Sequence, residues 1–376
     1  MECVAKFVAL ATLVLVAAGP SHAQPLRSTS IPSRLADDEK RLLPEVMTEF
    51  YGSFDREKSC WISKHEEGTY CMKPIRLDVI KSTGRKMLFI VAGGQKLDKE
   101  GRPEEHHAAQ GVFGLIVLTP NGANLDVGAT NGLYEGFETY GGYPQHDAVT
   151  IHRLGSNGAY GWVAKAGENH SGREERWAKV YGLIGNSLEP LTTITSYYSD
   201  EGMSGCGPEA HCTALKVKYP FETHSSASSF YPIVLRVSGI REGRPFRGNY
   251  RLVFDKNLLT YLTPNNMPDE IMPDPFIALP EPGTLSLACK GTVGSDKKRD
   301  PVSMGIVFNF TTRTVQFGLY RYPEKIKITG LDDARVAFGE EGEGSGFIGT
   351  IDRVTGDTQA KAVGGDTYSL QCRPVQ

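Results

Sequence analysis

No stretch of this sequence is rich in charge of one sign. Its 41 Lys and Arg stand against 44 Asp and Glu, a net charge of −3. That balance argues against a nucleic-acid partner, which requires a clustered basic footprint. The one short basic run, Lys297-Lys298-Arg299, is flanked by Asp296 and Asp300 and reads as a solvated turn. Long apolar runs are scarce as well. The single one, Phe7 to Gly19, falls short of the roughly 20 residues a spanning helix needs, so no membrane span is predicted. Compact catalytic motifs are missing: there is no P-loop, no H-E-x-x-H, no EF-hand loop and no C-x-x-C pair. Gly-Ser-Gly-Phe-Ile-Gly at 344–349 has the glycine spacing of a dinucleotide site, but it follows Glu340, Glu341 and Glu343 and leads into a β-like run. Without a helix to receive a pyrophosphate it reads as a hairpin turn. Ser204, in Gly-Met-Ser-Gly-Cys-Gly, fails the nucleophile elbow because position 206 is Cys.

What is present points to export. Lys6 precedes the apolar run, and Ser21-His22-Ala23 supplies small residues at a cleavage point after Ala23, so 1–23 reads as a signal peptide and the mature chain as periplasmic or extracellular. Cys3 leaves with that segment. Six cysteines remain, an even number that suggests disulfides in an exported chain. Several connectivities are open; the spacing favours Cys60–Cys71, Cys206–Cys212 and Cys289–Cys372.

Proline marks the organisation. Positions 264, 268, 273, 275, 280 and 282 are all Pro, which excludes helix interiors and central strands across 263–284 and makes that stretch a linker. Residues 24–34 read as a loose leader. Leu35, Leu42, Leu43, Val46 and Phe50 recur at helical spacing, with Pro44 limiting the helix. From there to 262 short apolar or alternating runs, punctuated by Gly, Asn and Pro, predict antiparallel strands. After the linker about eight more short strands follow, with Cys289 in the first and Cys372 in the last. Thr355-Gly356-Asp357-Thr358 reads as a two-residue hairpin loop. The expected fold is therefore mostly β: a larger antiparallel domain at 35–262 with an N-terminal helix, and a small disulfide-closed β-barrel or sandwich at 285–376.

The most chemical-looking stretch is Glu104-Glu105-His106-His107. Neighbouring side chains diverge on either a strand or a helix, so the His doublet is not a ready-made metal pair. Glu105 and His107 could share a face, and with His170 they could form a zinc site, although a polar entry to the next strand explains the stretch as well. A second candidate is the glycine-rich stretch 134–143, where Tyr134, Phe137, Tyr140 and Tyr143 could form an aromatic recognition loop for a protein, peptide or carbohydrate ligand.

Several stretches resemble uncharacterised exported β-rich proteins of proteobacteria. They are GRPEEHHAAQGVFGLIVL, YGWVAKAGENHSG and YPIVLRVSGIREGRPFRGNYRLVFD in the first part, and GTIDRVTGDTQA and YSLQCRP in the second. The resemblance implies an envelope location and assigns no activity. The disulfide-closed β domain is also similar in outline to periplasmic lysozyme inhibitors, without an inhibitor motif to match. The sequence thus predicts an exported, non-catalytic binding or envelope-associated protein with no resident cofactor. The alternative is a metal-dependent hydrolase using His107, His170 and nearby carboxylates such as Glu105, with zinc as the candidate metal.

Overall fold

The structure is a computed structural model. It describes residues 27–375 except 66–67, 83, 105–109, 140–142, 157, 204–211, 225–229, 265, 280–283, 296–297, 319–324, 333, 340–346 and 363–364. The predicted signal segment lies outside the described residues. Among these residues no helix is long and apolar enough to cross a membrane.

Antiparallel strands in three sequential groups make up most of the chain. The first group contains β1 (Arg27–Pro32), β2 (Phe54–Asp55), β3 (Cys60–His65), β4 (Gly68–Ser82), β5 (Arg85–Leu97), β6 (Gln110–Asn121) and β7 (Asn124–Thr139), in sheet order β1-β7-β6-β5-β4-β3-β2. The leader is thus not loose from residue 27 onward. β1 adds an edge strand to β7, the Thr29 hydroxyl donates to the Leu125 carbonyl at 2.8 Å, and Ile31 is buried. Helix α1 (Glu39–Tyr51) follows, capped at its start by Asp38, whose side chain accepts from the Arg41 N–H. Leu42, Val46, Met47 and Tyr51 fall on its inner face. That face packs on Leu88, Ile90, Val112, Ile116 and Leu118, one side of the central strands β5 and β6. Alternate residues of the same strands, Phe89, Val91, Phe113, Leu115 and Val117, point the other way and meet the second sheet. Both faces of β5 and β6 are therefore covered, which is why MLFIVA and VFGLIVL are continuous apolar runs rather than alternating ones.

The second sheet runs in strict sequence order through β8 (Val149–Arg153), β9 (Tyr160–His170), β10 (Arg173–Ile184), β11 (Ser187–Ser199), β12 (Ala214–Lys218), β13 (Ile233–Arg241), β14 (Arg244–Asp255) and β15 (Thr260–Leu262). Bulges in β11, between the Arg176/Trp177 and Val180/Tyr181 pairs, tighten its bend. The sheet curls far enough for β15 to reach β11: the Thr260 hydroxyl donates to the Leu191 carbonyl at 2.7 Å. The result is a half-barrel around Leu191, Ile194, Leu215, Leu235, Leu252 and Tyr261. The apolar run 257–263 is only partly a strand. Leu259 turns with φ 57°, leaving β15 three residues.

The third group closes on itself. β16 (Thr284–Ser295), β17 (Lys298–Asn309), β18 (Thr314–Phe317), β19 (Lys325–Leu331), β20 (Arg335–Phe338), β21 (Phe347–Asp352), β22 (Asp357–Ala362) and β23 (Thr367–Pro374) form an up-and-down barrel, with β23 pairing back to β16. Its interior is filled by Met304, Phe308, Phe317, Phe338, Phe347 and Tyr368, as an eight-stranded barrel allows. The turn after β21 is longer than a two-residue loop. Asp352 accepts from the N–H groups of Val354 and Thr355, both at 2.8 Å, and Gly356 returns the chain at φ 79°, where a Cβ would lie 2.1 Å from the Cys372 carbonyl.

Cys60–Cys71 and Cys289–Cys372 are disulfides. Cys212 is also disulfide-bonded, and Cys206, the partner its spacing predicts, lies outside the described residues. Cys289 and Cys372 are directly opposed in the β16–β23 ladder, so one covalent bond fastens the first barrel strand to the last.

Candidate functional site

Glu105 and His107, like His106, lie outside the described residues. The strand entry before them is fixed by the Glu104 N–H donating to the Lys96 carbonyl at 2.9 Å. His170 is described and exposed. It ends β9 opposite Arg173, across a turn in which Ser171 and Gly172 take φ 52° and 86°. Among the described residues no group of three or more His, Cys, Asp or Glu is placed to hold a metal ion.

The aromatic stretch is a strand for most of its length. Tyr134 and Phe137 belong to β7, with backbone partners Phe113 and Gly111, and Tyr140 lies outside the described residues. Tyr143 turns inward: its hydroxyl is 3.1 Å from both the carbonyl oxygen and the sulfur of Cys71, and the Lys73 ammonium sits 4.8 Å from its ring centre. Burial pushes its phenol up to about 12. Gly93 explains the inward path, because a Cβ there would lie 2.6 Å from Pro144. The end of the stretch is therefore clamped onto the sheet.

His152, on β8, is half-buried against Phe221, with Nε2 2.9 Å from the Thr150 hydroxyl. Burial, followed by the nearby Lys165 and Arg76 cations, holds its imidazole below the ordinary value. Between that ordinary value, about 6.5, and the lower folded one, the unfolded chain binds a proton that the folded chain refuses. Stability contributed by neutral His152 is thus present above about pH 6.5 and lost as pH falls. Urea unfolding near pH 7.5 and 5.5 should show a smaller drop for His152→Gln than for the parent; equal drops would remove the effect.

The best-formed site belongs to none of the sequence candidates. A cavity of about 550 Å³ lies where the half-barrel, the proline-rich connector and the barrel meet, within the range of small-molecule sites, about 300–1,000 Å³. The half-barrel contributes Lys179 from β10 and Glu189 from β11. The connector contributes Asp274, Pro275 and Ile277, and the 257–260 turn contributes Leu258 and Leu259.

The barrel's contribution follows from strand alternation. Leu287, Cys289, Leu370 and Cys372 point into its core, so Ala288, Lys290, Gln371 and Arg373 point out, into the cleft. Lys290 pairs directly with Gln371, and Ala288 with Arg373. Lys290 and Arg373 are therefore diagonal neighbours, roughly 7–8 Å apart at their bases.

The walls are fixed in place. Asp274 exchanges backbone hydrogen bonds with Thr193, at 2.6 and 3.0 Å, and the Asp274–Pro275 peptide is cis. Thr263 bonds both Ile277 and Leu279. The barrel has Gly305 where a Cβ would come within 2.2 Å of the Phe276 carbonyl, and Val375 packs with Leu262 and Ile277. The stretch read as a linker is thus a packed strap, its prolines serving an irregular but buried path. At the mouth Asp274 is still reached by solvent, yet the protein crowded around it strips enough hydration to raise its carboxyl above the ordinary range. Lys179 opposes that shift.

A second hollow, of about 700 Å³ and more open, runs beside the β9–β10 hairpin. Its margin holds Glu175, which is buried and paired with Arg173 at 2.5 Å. Two arginine–tyrosine stacks, Arg173 on Tyr198 at 5.1 Å and Arg176 on Tyr197 at 5.6 Å, stiffen this hairpin. Two of its carboxylates are already paired, Glu175 with Arg173 and Glu174 with Arg176.

No family model matches the chain, and neither a curated protein nor a solved structure matches it. Sequence reasoning missed the cleft because its walls come from segments far apart in the chain, from Lys179 to Arg373. The one signal that could have found it is the alternation around Cys289 and Cys372, which places Lys290 and Arg373 on the barrel's outer face.

Proposed function

We propose that this is an exported, envelope-associated binding protein of two domains, with the half-barrel and its stacked sheet in one and the barrel in the other, and that a small ligand binds in the cleft between them. The observation that carries this reading is the cleft itself: about 550 Å³ lined by Leu258, Leu259, Ile277 and Ala288 together with a few charges, where the half-barrel, the strap and the barrel meet. Disulfides in three places support an oxidising compartment.

Native mass spectrometry of the oxidised mature protein tests the reading. A bound small molecule should be present on the parent and absent from Ala288→Trp, which fills the cleft from the outward barrel face. The far-UV spectrum should not change. An adduct retained by the variant, or no adduct on the parent, would count against the cleft. Stoichiometric zinc on tag-free protein, lost in His107→Ala, would replace this reading with a hydrolytic one.

A further inference from the structure

The charge and the floor of the cleft together specify its ligand more closely. Three cations, Lys179, Lys290 and Arg373, line it against two carboxylates, Glu189 and Asp274, in a chain whose overall charge is −3. Lys179 is electrostatically coupled to Asp274, and the Ser187 hydroxyl donates to Glu189 at 2.6 Å. Lys290 and Arg373 have no carboxylate partner among the described residues, although both stand on the cleft side of the barrel. Two diagonal cations at this spacing suit one planar anion: a guanidinium grips a carboxylate through two parallel N–H donors, and a neighbouring ammonium completes the charge balance. Next to them Leu258, Leu259, Ile277 and Ala288 offer aliphatic surface with no aromatic face.

We infer that the ligand is an amphiphilic organic monoanion, a carboxylate head held by Lys290 and Arg373 with an aliphatic tail along Leu258, Leu259 and Ile277. This rests on the binding-protein reading above, which it narrows to a ligand class. A sugar would leave the cations unmatched and would find no aromatic platform. An inorganic anion would leave the aliphatic floor wet. The exposed cations orient the head group at the cleft's edge, and the tail removes apolar surface from water.

Isothermal titration of the full oxidised mature chain with decanoate, 1-decanol and decylammonium, each below its aggregation concentration, tests the inference. Decanoate should bind at least tenfold more tightly than the other two. Lys290→Gln/Arg373→Gln should erase that preference while leaving decanol binding within threefold. Both positions are on the barrel's outer face, so the variant should fold, and its melting curve verifies that. Equal binding of all three probes, or a decanoate preference surviving the double variant, would overturn the anion assignment. If Ala288→Trp still blocked binding, the cleft reading would stand. No saturable binding of any probe would overturn the assignment too, while the native-mass adduct separately decides whether the cleft binds anything.

Discussion

Replacing Cys289 and Cys372 together by alanine should cost the barrel about 4 kcal/mol and lower its melting midpoint on the order of 20 °C. The two residues are separated by 83 positions. A cross-link around a loop of that length removes about 4–5 kcal/mol of chain entropy from the unfolded state in the loop-closure account. The native side adds little strain, because the two strands already face each other through the β16–β23 ladder. Both sulfurs are buried in the barrel core, with Cys372 3.2 Å from the Thr358 hydroxyl, so alanine also loses packing. A barrel of this size has a core too small to absorb the loss, since each kcal/mol moves the midpoint of a 60–100-residue unit by roughly 4–8 °C. The functional consequence follows from neighbourhood: Lys290 and Arg373 each adjoin one half of the disulfide. Loosening the staple should weaken decanoate binding before the barrel unfolds. Melting curves and decanoate titration of the double variant measure the two effects, and unchanged hydrogen-exchange protection of the β16 and β23 amides would remove the staple argument.

How far the sequence led depends on the range over which each feature is determined. Within the barrel, runs such as KIKITGL and TYSLQCRPV are short, alternating and joined by turns with glycine or Asx chemistry. Their information is local, and the eight strands form at those runs, although β17 begins at Lys298, within the basic run read as a turn, because Lys298 and Arg299 pair with Ser295 and Gly294. The same holds for the β4–β5 and β13–β14 hairpins, the latter turning at Glu242 and Gly243 with φ 49° and 73°. Errors arose where distant partners decide the outcome. Residues 24–34 contain two prolines and look unstructured, but β7 offers an open edge and Ile31 a core to enter. The proline-rich connector holds, among its described residues before β16, no regular element longer than the 3-10 turn Asp269–Ile271, yet nothing local reveals that Thr193 and Gly305 hold it down. The Tyr134–Tyr143 stretch has loop composition, yet β6 pairs with most of it as a strand.

The candidate site was less legible for a related reason. Histidine doublets and aromatic clusters attract notice because their residues are adjacent in sequence. The cleft has no adjacent pair of conspicuous residues. Lys179, Leu259, Asp274, Lys290 and Arg373 become neighbours only after the half-barrel has curled and the strap has crossed it. Its cations are ordinary in the sequence and become informative only when the barrel directs them outward.

The second large effect should come from Trp162, and it bears on whether the chain unfolds in one step or two. Trp162 is completely buried between the two stacked sheets, edge-on to Phe89 at 5.1 Å, and packed among Leu115, Tyr181 and Leu188. Truncation to alanine leaves a cavity that a rigid sheet-on-sheet contact collapses into poorly, a loss of about 3–5 kcal/mol. Phenylalanine is the informative control. It keeps the contact with Phe89 and removes an indole N–H that has no partner among the described residues, so it should lose no more than about 1–2 kcal/mol. Trp61, Trp162 and Trp177 all precede the strap, so fluorescence reads the sheets alone, while exchange of the β16 and β23 amides reads the barrel. If the barrel is a domain, Trp162→Ala should shift the fluorescence transition in urea, still reported by the other two tryptophans, and leave barrel exchange unchanged. Cys289→Ala/Cys372→Ala should do the reverse. Coincident shifts in both signals would make the packed strap a rigid coupling, and binding in the cleft would then stabilise the whole chain as one unit.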